Sequence, residues 1–172
     1  MNLLLNQYSF LTIAVGLAVA AGFILLTNKP KWNDYLAFGV IIAGLISAWV
    51  ILHPRQTPLM ENSKTVQAMI GAGTPVLLEF QSPYCIGCTM IQPAVDDLEA
   101  ELNSGISIGN KIHIIRLNIQ EDVGRELALA YDFEFTPTFI FFDAEGNEMW
   151  RTIGEFDPQK IRDSLEADPL LP

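Results

Sequence analysis

The stretch PVLLEFQSPYCIGCTMIQP, residues 75–93, joins an apolar run of strand type to a helical pattern, and two cysteines sit at the junction. Residues 76–80 read as a buried strand, and the cysteines open a helix expected over about 88–102. At a helix N-terminus the unpaired backbone N–H groups and the helix dipole favour negative charge, so a thiol placed there ionises more readily. Two intervening residues let the second thiol reach the first across one turn. Cys85 is then the expected nucleophile toward a disulfide, and Cys88 the thiol that resolves the mixed disulfide. Three plainer readings compete at this point: a metal site, a fixed structural disulfide, and two cysteines that merely fill a core. A zinc site needs four ligands, and the only histidines are His53, beside an apolar segment, and His113, within a strand pattern.

On both sides of this stretch the pattern alternates between helix and strand. A short helix over 62–70 ends at Gly71 and Gly73, and a strand runs through 112–119, followed by a helix over 123–131. The run FIFF, residues 139–142, turns at Ala144-Glu145-Gly146-Asn147 into a strand over 149–153, which reads as a hairpin. The last helix starts with Asp157 as N-cap and Pro158 at the first helical position, and extends to about residue 167.

Residues 75–93 resemble the active-site strand and helix of thioredoxin, and Met90-Ile91-Gln92-Pro93 matches the stretch whose proline bends that helix. Arg116-Leu117-Asn118-Ile119 resembles the family's central strand, Phe135-Thr136-Pro137-Thr138 the segment holding its cis-proline, and Ile153-Gly154 its glycine segment beside the active site. In order and spacing these cover about residues 60–167, and the chain is identified as a member of the family. The resemblance implies a thioredoxin-like α/β fold, a central mixed sheet flanked by helices. It also implies a redox-active Cys85–Cys88 disulfide and a cis-proline at Pro137. Substrate-binding positions follow at Tyr84, Ile86, Gly87, Thr136, Pro137 and Gly154. Glu79 matches the family's buried acid, whose desolvation should raise its pKa and suit it to exchange a proton with Cys88. Strand alternation offers a rival: Glu79 could face water between Leu78 and Phe80. Tyr84-Cys85-Ile86-Gly87-Cys88 departs from the usual Trp-Cys-Gly-Pro-Cys, Gln81 stands where an aromatic is common, and Thr89 replaces a lysine. Without a histidine between the cysteines, the dipeptide favours a reductant over an oxidant.

The N-terminal third has a different character. Residues 8–26 and 35–52 carry no charge, and each is long enough for a helix across a hydrocarbon core of about 30 Å. The eight-residue link over 27–34 returns the chain as a hairpin. Ala18-Val19-Ala20 has the look of a processing site, but the apolar run continues past it and a second span follows, so a cleaved signal is not expected. Small residues recur every four positions, at Ala14, Ala18 and Gly22 and at Gly39, Ala43 and Ser47, which offers a packing stripe. The segment HPRQTP, residues 53–58, reads as a stalk, so the expected division is an anchor over 1–56 and a thioredoxin-like domain over 57–172. Lys29 and Lys31 in the link favour a cytoplasmic loop and an extracytoplasmic domain, while Arg55 and Lys64 pull the other way.

The 172-residue chain is 50% hydrophobic and 17% charged, which excludes disorder. Its formal charge of −10 divides into +2 over residues 1–56 and −12 beyond. An acidic segment without a basic stripe makes nucleic acid an unexpected partner. No glycine-rich dinucleotide fingerprint appears, so no cofactor is expected. The leading expectation is a membrane-tethered thiol–disulfide oxidoreductase that reduces protein disulfides, with the lipid bilayer and an upstream thiol donor as partners. A thiol oxidase or isomerase of exported proteins, and a membrane assembly or adaptor protein that docks without turnover, are the alternatives.

Overall fold

The computed structural model describes residues 8–27, 29–52, 62–103 and 112–167. The expected stalk over 53–58, with His53 and Arg55, and the domain boundary expected at 56 lie outside the described residues.

Helix α1 spans Ser9–Thr27 and α2 spans Trp32–Leu52; both are long and apolar enough to cross a membrane, and neither apolar window is buried. The small-residue stripe behaves differently on the two. On α1, Ala14, Ala18 and Gly22 are half-buried, whereas on α2 Gly39, Ala43 and Ser47 are exposed and Phe38, Ile42, Leu45 and Ala48 are half-buried instead. A Cβ at Gly22 would lie 4.0 Å from the Phe38 ring, while one at Gly39 would meet nothing within 4 Å. The predicted stripe of small residues turns inward only on α1, and on α2 Phe38, Ile42 and Leu45 supply the bulk that faces it.

Beyond the hairpin come α3 (Ser63–Met69), β1 (Val76–Gln81), α4 (Ile86–Asn103), β2 (His113–Asn118), α5 (Asp122–Ala130), β3 (Thr138–Phe142), β4 (Glu148–Ile153) and α6 (Pro158–Ala167). The sheet order is β2-β1-β3-β4; β1 runs parallel to β2 and antiparallel to β3, and β3 runs antiparallel to β4. This is the thioredoxin fold, a mixed sheet with helices on both faces.

Asn62 caps α3 by accepting the Thr65 N–H at 2.8 Å, and Asp157 accepts the Gln159 N–H at 2.9 Å at the start of α6. Every residue of β1 is buried, because the strand lies between β2 and β3 with helices above and below. One face packs Leu78, Phe80, Ile115 and Ile140 against Val66 of α3 and Leu127 of α5. The other packs Leu77, Phe139 and Phe141 against Val95 and Leu98 of α4 and Ile161 and Leu165 of α6. Gly124 is the tightest seam: a Cβ there would lie 2.0 Å from the Asn118 carbonyl oxygen, so only glycine lets α5 approach the end of β2.

Two expectations change. The helix after the cysteines begins at Ile86 rather than at residue 88. The rival reading in which Glu79 faces water does not hold, since its side chain is 2% exposed and helices close both faces of its strand.

Candidate active site

The earlier start of α4 makes Cys85 the residue immediately before the helix. Its carbonyl accepts the Thr89 N–H at 3.2 Å, and its Sγ accepts the Cys88 N–H at 3.3 Å. This is N-cap bonding with sulfur in place of the usual oxygen. The loop ahead is tied down as well: the Cys85 N–H donates to the Ser82 carbonyl at 3.1 Å, and the Tyr84 N–H to Ser82 Oγ at 3.3 Å.

Opposite the sulfur lies the turn into β3. The Thr136–Pro137 peptide is cis, and the Cys85 thiol reaches the Thr136 carbonyl oxygen at 3.6 Å. Pro137 in turn accepts the Gly154 N–H at 2.8 Å, with Gly154 at φ 77°. At Gly87 a Cβ would lie 3.4 Å from Pro137 Cδ and 3.8 Å from Cys85 Sγ, so a small residue there keeps the sulfur and the proline close. The structure therefore brings Cys85, Gly87, Thr136, Pro137 and Gly154 together, with Ile86 exposed at the rim.

The two thiols differ in acidity. A hydrogen bond with the Cys88 thiol, helped by those from Thr136 and from the Cys88 and Gly87 backbone, holds Cys85 down at about 6 against the burial that opposes it. Burial pushes Cys88 up, and its hydrogen bond with Cys85 and the negative charges of Cys85 and Glu79 add to this.

Glu79 lies on the α4 face of the sheet, beside its register partner Arg116 on β2. Arg116 Nε lies 3.5 Å from Glu79 Oε2, and its other nitrogens bind Asp96 at 2.5 Å and Glu99 at 2.7 Å, both on α4. Burial pushes the Glu79 carboxyl up to about 7; Arg116 pulls it down, and Asp96 and Glu99 push it up again. One guanidinium thus serves three carboxylates, and the buried one is under-compensated. Sequence reasoning read Arg116 only as part of a strand. Its signal was a charge between Ile115 and Leu117, the same pattern that marks Glu79 between Leu78 and Phe80. Among the described residues no group of three or more His, Cys, Asp or Glu side chains is placed to hold a metal ion.

Tyr84 has an unforeseen neighbour, the Tyr8 ring, stacked at 5.4 Å between centroids with an interplanar angle of 23°.

Residues 58–167 match the thioredoxin family. The chain is 33% identical over 150 residues to the chloroplastic M-type thioredoxin of Pisum sativum, covering 83% of this chain and 81% of that protein. It is 24% identical to the thiol:disulfide interchange protein TxlA of Synechococcus elongatus, covering 74% of this chain and 68% of that one. A third relative is the chloroplastic thioredoxin-like protein HCF164 of Oryza sativa subsp. japonica, 24% identical over 66% of this chain but only 43% of its own length. Among solved structures, the thioredoxin of Malassezia sympodialis superposes with a TM-score of 0.51 at 22% identity over 67% of this chain and 93% of that chain, a likeness of fold. With the strand, capped cysteine and cis-proline assembled as described, the chain belongs to the thioredoxin family of thiol–disulfide oxidoreductases.

Proposed function

We propose that this protein is a membrane-tethered reductase of protein disulfides, with its thioredoxin-like domain outside the cytoplasm and an upstream thiol donor supplying electrons. The observation that carries the chemistry is the contrast between two thiols three positions apart: Cys85 held down at about 6 and Cys88 pushed up. At neutral pH the first is a ready nucleophile and the second keeps its proton until it is needed.

The Cys85 thiolate attacks one sulfur of the client disulfide; that S–S bond breaks, and the other client sulfur leaves as a thiolate and takes up a proton. A Glu79 carboxylate, about half ionised near pH 7, accepts the Cys88 proton. The Cys88 sulfur then attacks Cys85 Sγ, and the second client sulfur leaves. The pair has given two electrons to the client and become a disulfide, which a donor dithiol reduces by the reverse exchange. The Thr136 backbone beside Pro137, together with Tyr84, Ile86, Gly87 and Gly154, forms the surface on which an extended client segment docks.

Tethering is supported by two exposed apolar helices of 19 and 21 residues. Tyr8 and Trp49 lie at one end of the hairpin and Trp32 and Tyr35 at the other, as interfacial aromatics do. Lys29 and Lys31 in the link favour a cytoplasmic loop.

The test is the equilibrium reduction potential of the pair in the full chain, in detergent micelles, against a glutathione or dithiothreitol couple. A value near the thioredoxin potential of about −270 mV is expected. A second reading, oxidase or isomerase, is favoured by the stabilised Cys85 thiolate, because a stable reduced form makes its disulfide more oxidising. A potential approaching about −120 mV would select that reading. If no reversible disulfide forms, a docking protein without turnover replaces both.

A further inference from the structure

The first turn of α1 lies on the loop that carries Cys85. The Phe10 N–H donates to the Tyr84 carbonyl at 2.8 Å, and the Ile86 N–H donates to Ser9 Oγ at 3.2 Å, so both neighbours of Cys85 are engaged. The Tyr8 ring stacks on Tyr84, and its hydroxyl donates to Gln120 Oε1 at 2.7 Å, just beyond β2. Three of these contacts tie three consecutive residues, Tyr8, Ser9 and Phe10, to the active-site loop across more than 70 positions of sequence, and the fourth ties Tyr8 to Gln120. Cys85, between the two residues they hold, is 1% exposed.

A nucleophilic sulfur has to be reached in line by the incoming disulfide, so its rate depends on access as well as on ionisation. The groups that Tyr8, Ser9 and Phe10 occupy are a flat aromatic face, a backbone acceptor and a backbone donor. These are the groups an extended peptide would use to lie beside the sulfur.

We propose that the first turn of α1 is a resident lid on the client-docking edge formed by Tyr84, Ile86 and Gln120, and that a client displaces it by replacing its contacts. The inference rests on the reading of the cysteine pair as a redox centre and gives that centre its regulation. The chemistry of the client follows from the lid: an extended segment near its disulfide that offers an aromatic ring to Tyr84, a backbone N–H to the Tyr84 carbonyl and an oxygen to the Ile86 N–H. Because the same turn begins the first apolar helix, the open and closed states differ in how the domain sits on its anchor.

The experiment is the rate at which iodoacetamide alkylates Cys85 in the reduced full chain in detergent micelles, at a pH where its thiol is fully ionised. The variants are Tyr8→Ala, which removes the stack and the Gln120 contact, and Phe10→Pro, which removes the donor to Tyr84 at a first-turn position where proline is tolerated. Both lie outside the domain core, so its fold is not at stake. Each should alkylate about three- to tenfold faster than the unaltered chain, with a lower KM for a protein disulfide. Alkylation within about twofold of the unaltered chain for both variants overturns the lid. Failure of the redox reading looks different: none of the three chains would then form the Cys85–Cys88 disulfide reversibly, while alkylation would still report access.

Discussion

The two faces of the sheet are built to different rules. The face under α3 and α5 has an apolar centre, with Leu78, Phe80, Ile115, Leu117 and Ile140 closed over by Val66 and Leu127, and its arginine, Arg151, sits half-buried at the β4 edge, bonded to the Tyr131 carbonyl and to Glu148. The face under α4 and α6 is equally apolar at Phe139, Phe141 and Leu98, yet it admits Glu79 and Arg116, 2% and 5% exposed, beneath the helix that begins at the cysteines. Burying a charge costs several kcal/mol unless partners compensate, and a core of this size had an apolar alternative on its other face. Among the described residues, fully buried charge is confined to the face beneath the cysteines, and the other face keeps its arginine at the sheet edge. The first face supplies stability, and the second gives up some of it to hold a carboxyl that titrates near neutrality.

Three substitutions test that division, in falling order of effect. Leu127→Ala, on the apolar face, should cost about 2–5 kcal/mol of unfolding free energy while leaving the pH profile of thiol–disulfide exchange where it was. Urea unfolding paired with activity against pH measures both. A shifted profile would show that the faces are not independent.

Glu79→Gln acts on the other face and should stabilise. The Glu79 carboxyl is raised from 4.5 to about 7 in the folded chain, so the folded state holds a proton that the unfolded state has released. Its stabilising contribution is complete below the unfolded value and is lost as pH rises through about 7. Glutamine cannot lose that proton. The variant should therefore match the unaltered chain in acid and exceed it by on the order of 3 kcal/mol above neutrality, with slower resolution of the mixed disulfide. An unaltered chain that is the more stable of the two at alkaline pH would mean that Arg116 overcompensates the buried charge.

Asp96→Asn should have the smallest effect. Asp96 pushes the Glu79 carboxyl up and shares Arg116 with it, so neutralising it moves the Glu79 inflection to lower pH. Its side chain is 47% exposed, and solvent screens its contribution. The exchange rate followed against pH reads the displacement, and an inflection moving to higher pH would sink the assignment of Asp96 as a tuning group.

Features that depend on near neighbours are legible in the residues alone. The strand before Cys85, the helix after it, the Asp157 cap and the turn at Gly146 follow from periodicity and turn chemistry over a few residues. Cys85 and Cys88 stand out because their spacing and their strand-to-helix context are local. Features that depend on residues far apart come only with the folded chain. The parallel register of β1 and β2 sets Glu79 beside Arg116, 37 positions away, and α4 adds Asp96 and Glu99, so the acidity of Glu79 is a property of four side chains from three elements. The capping role of Cys85 waited on where α4 begins, a boundary that depends on a hydrogen bond to sulfur. The outward turn of Gly39, Ala43 and Ser47 waited on which face of α2 meets α1. The meeting of Tyr8 with Tyr84 is the extreme case: no periodicity spans the distance between them, and only the folded chain brings the two rings together.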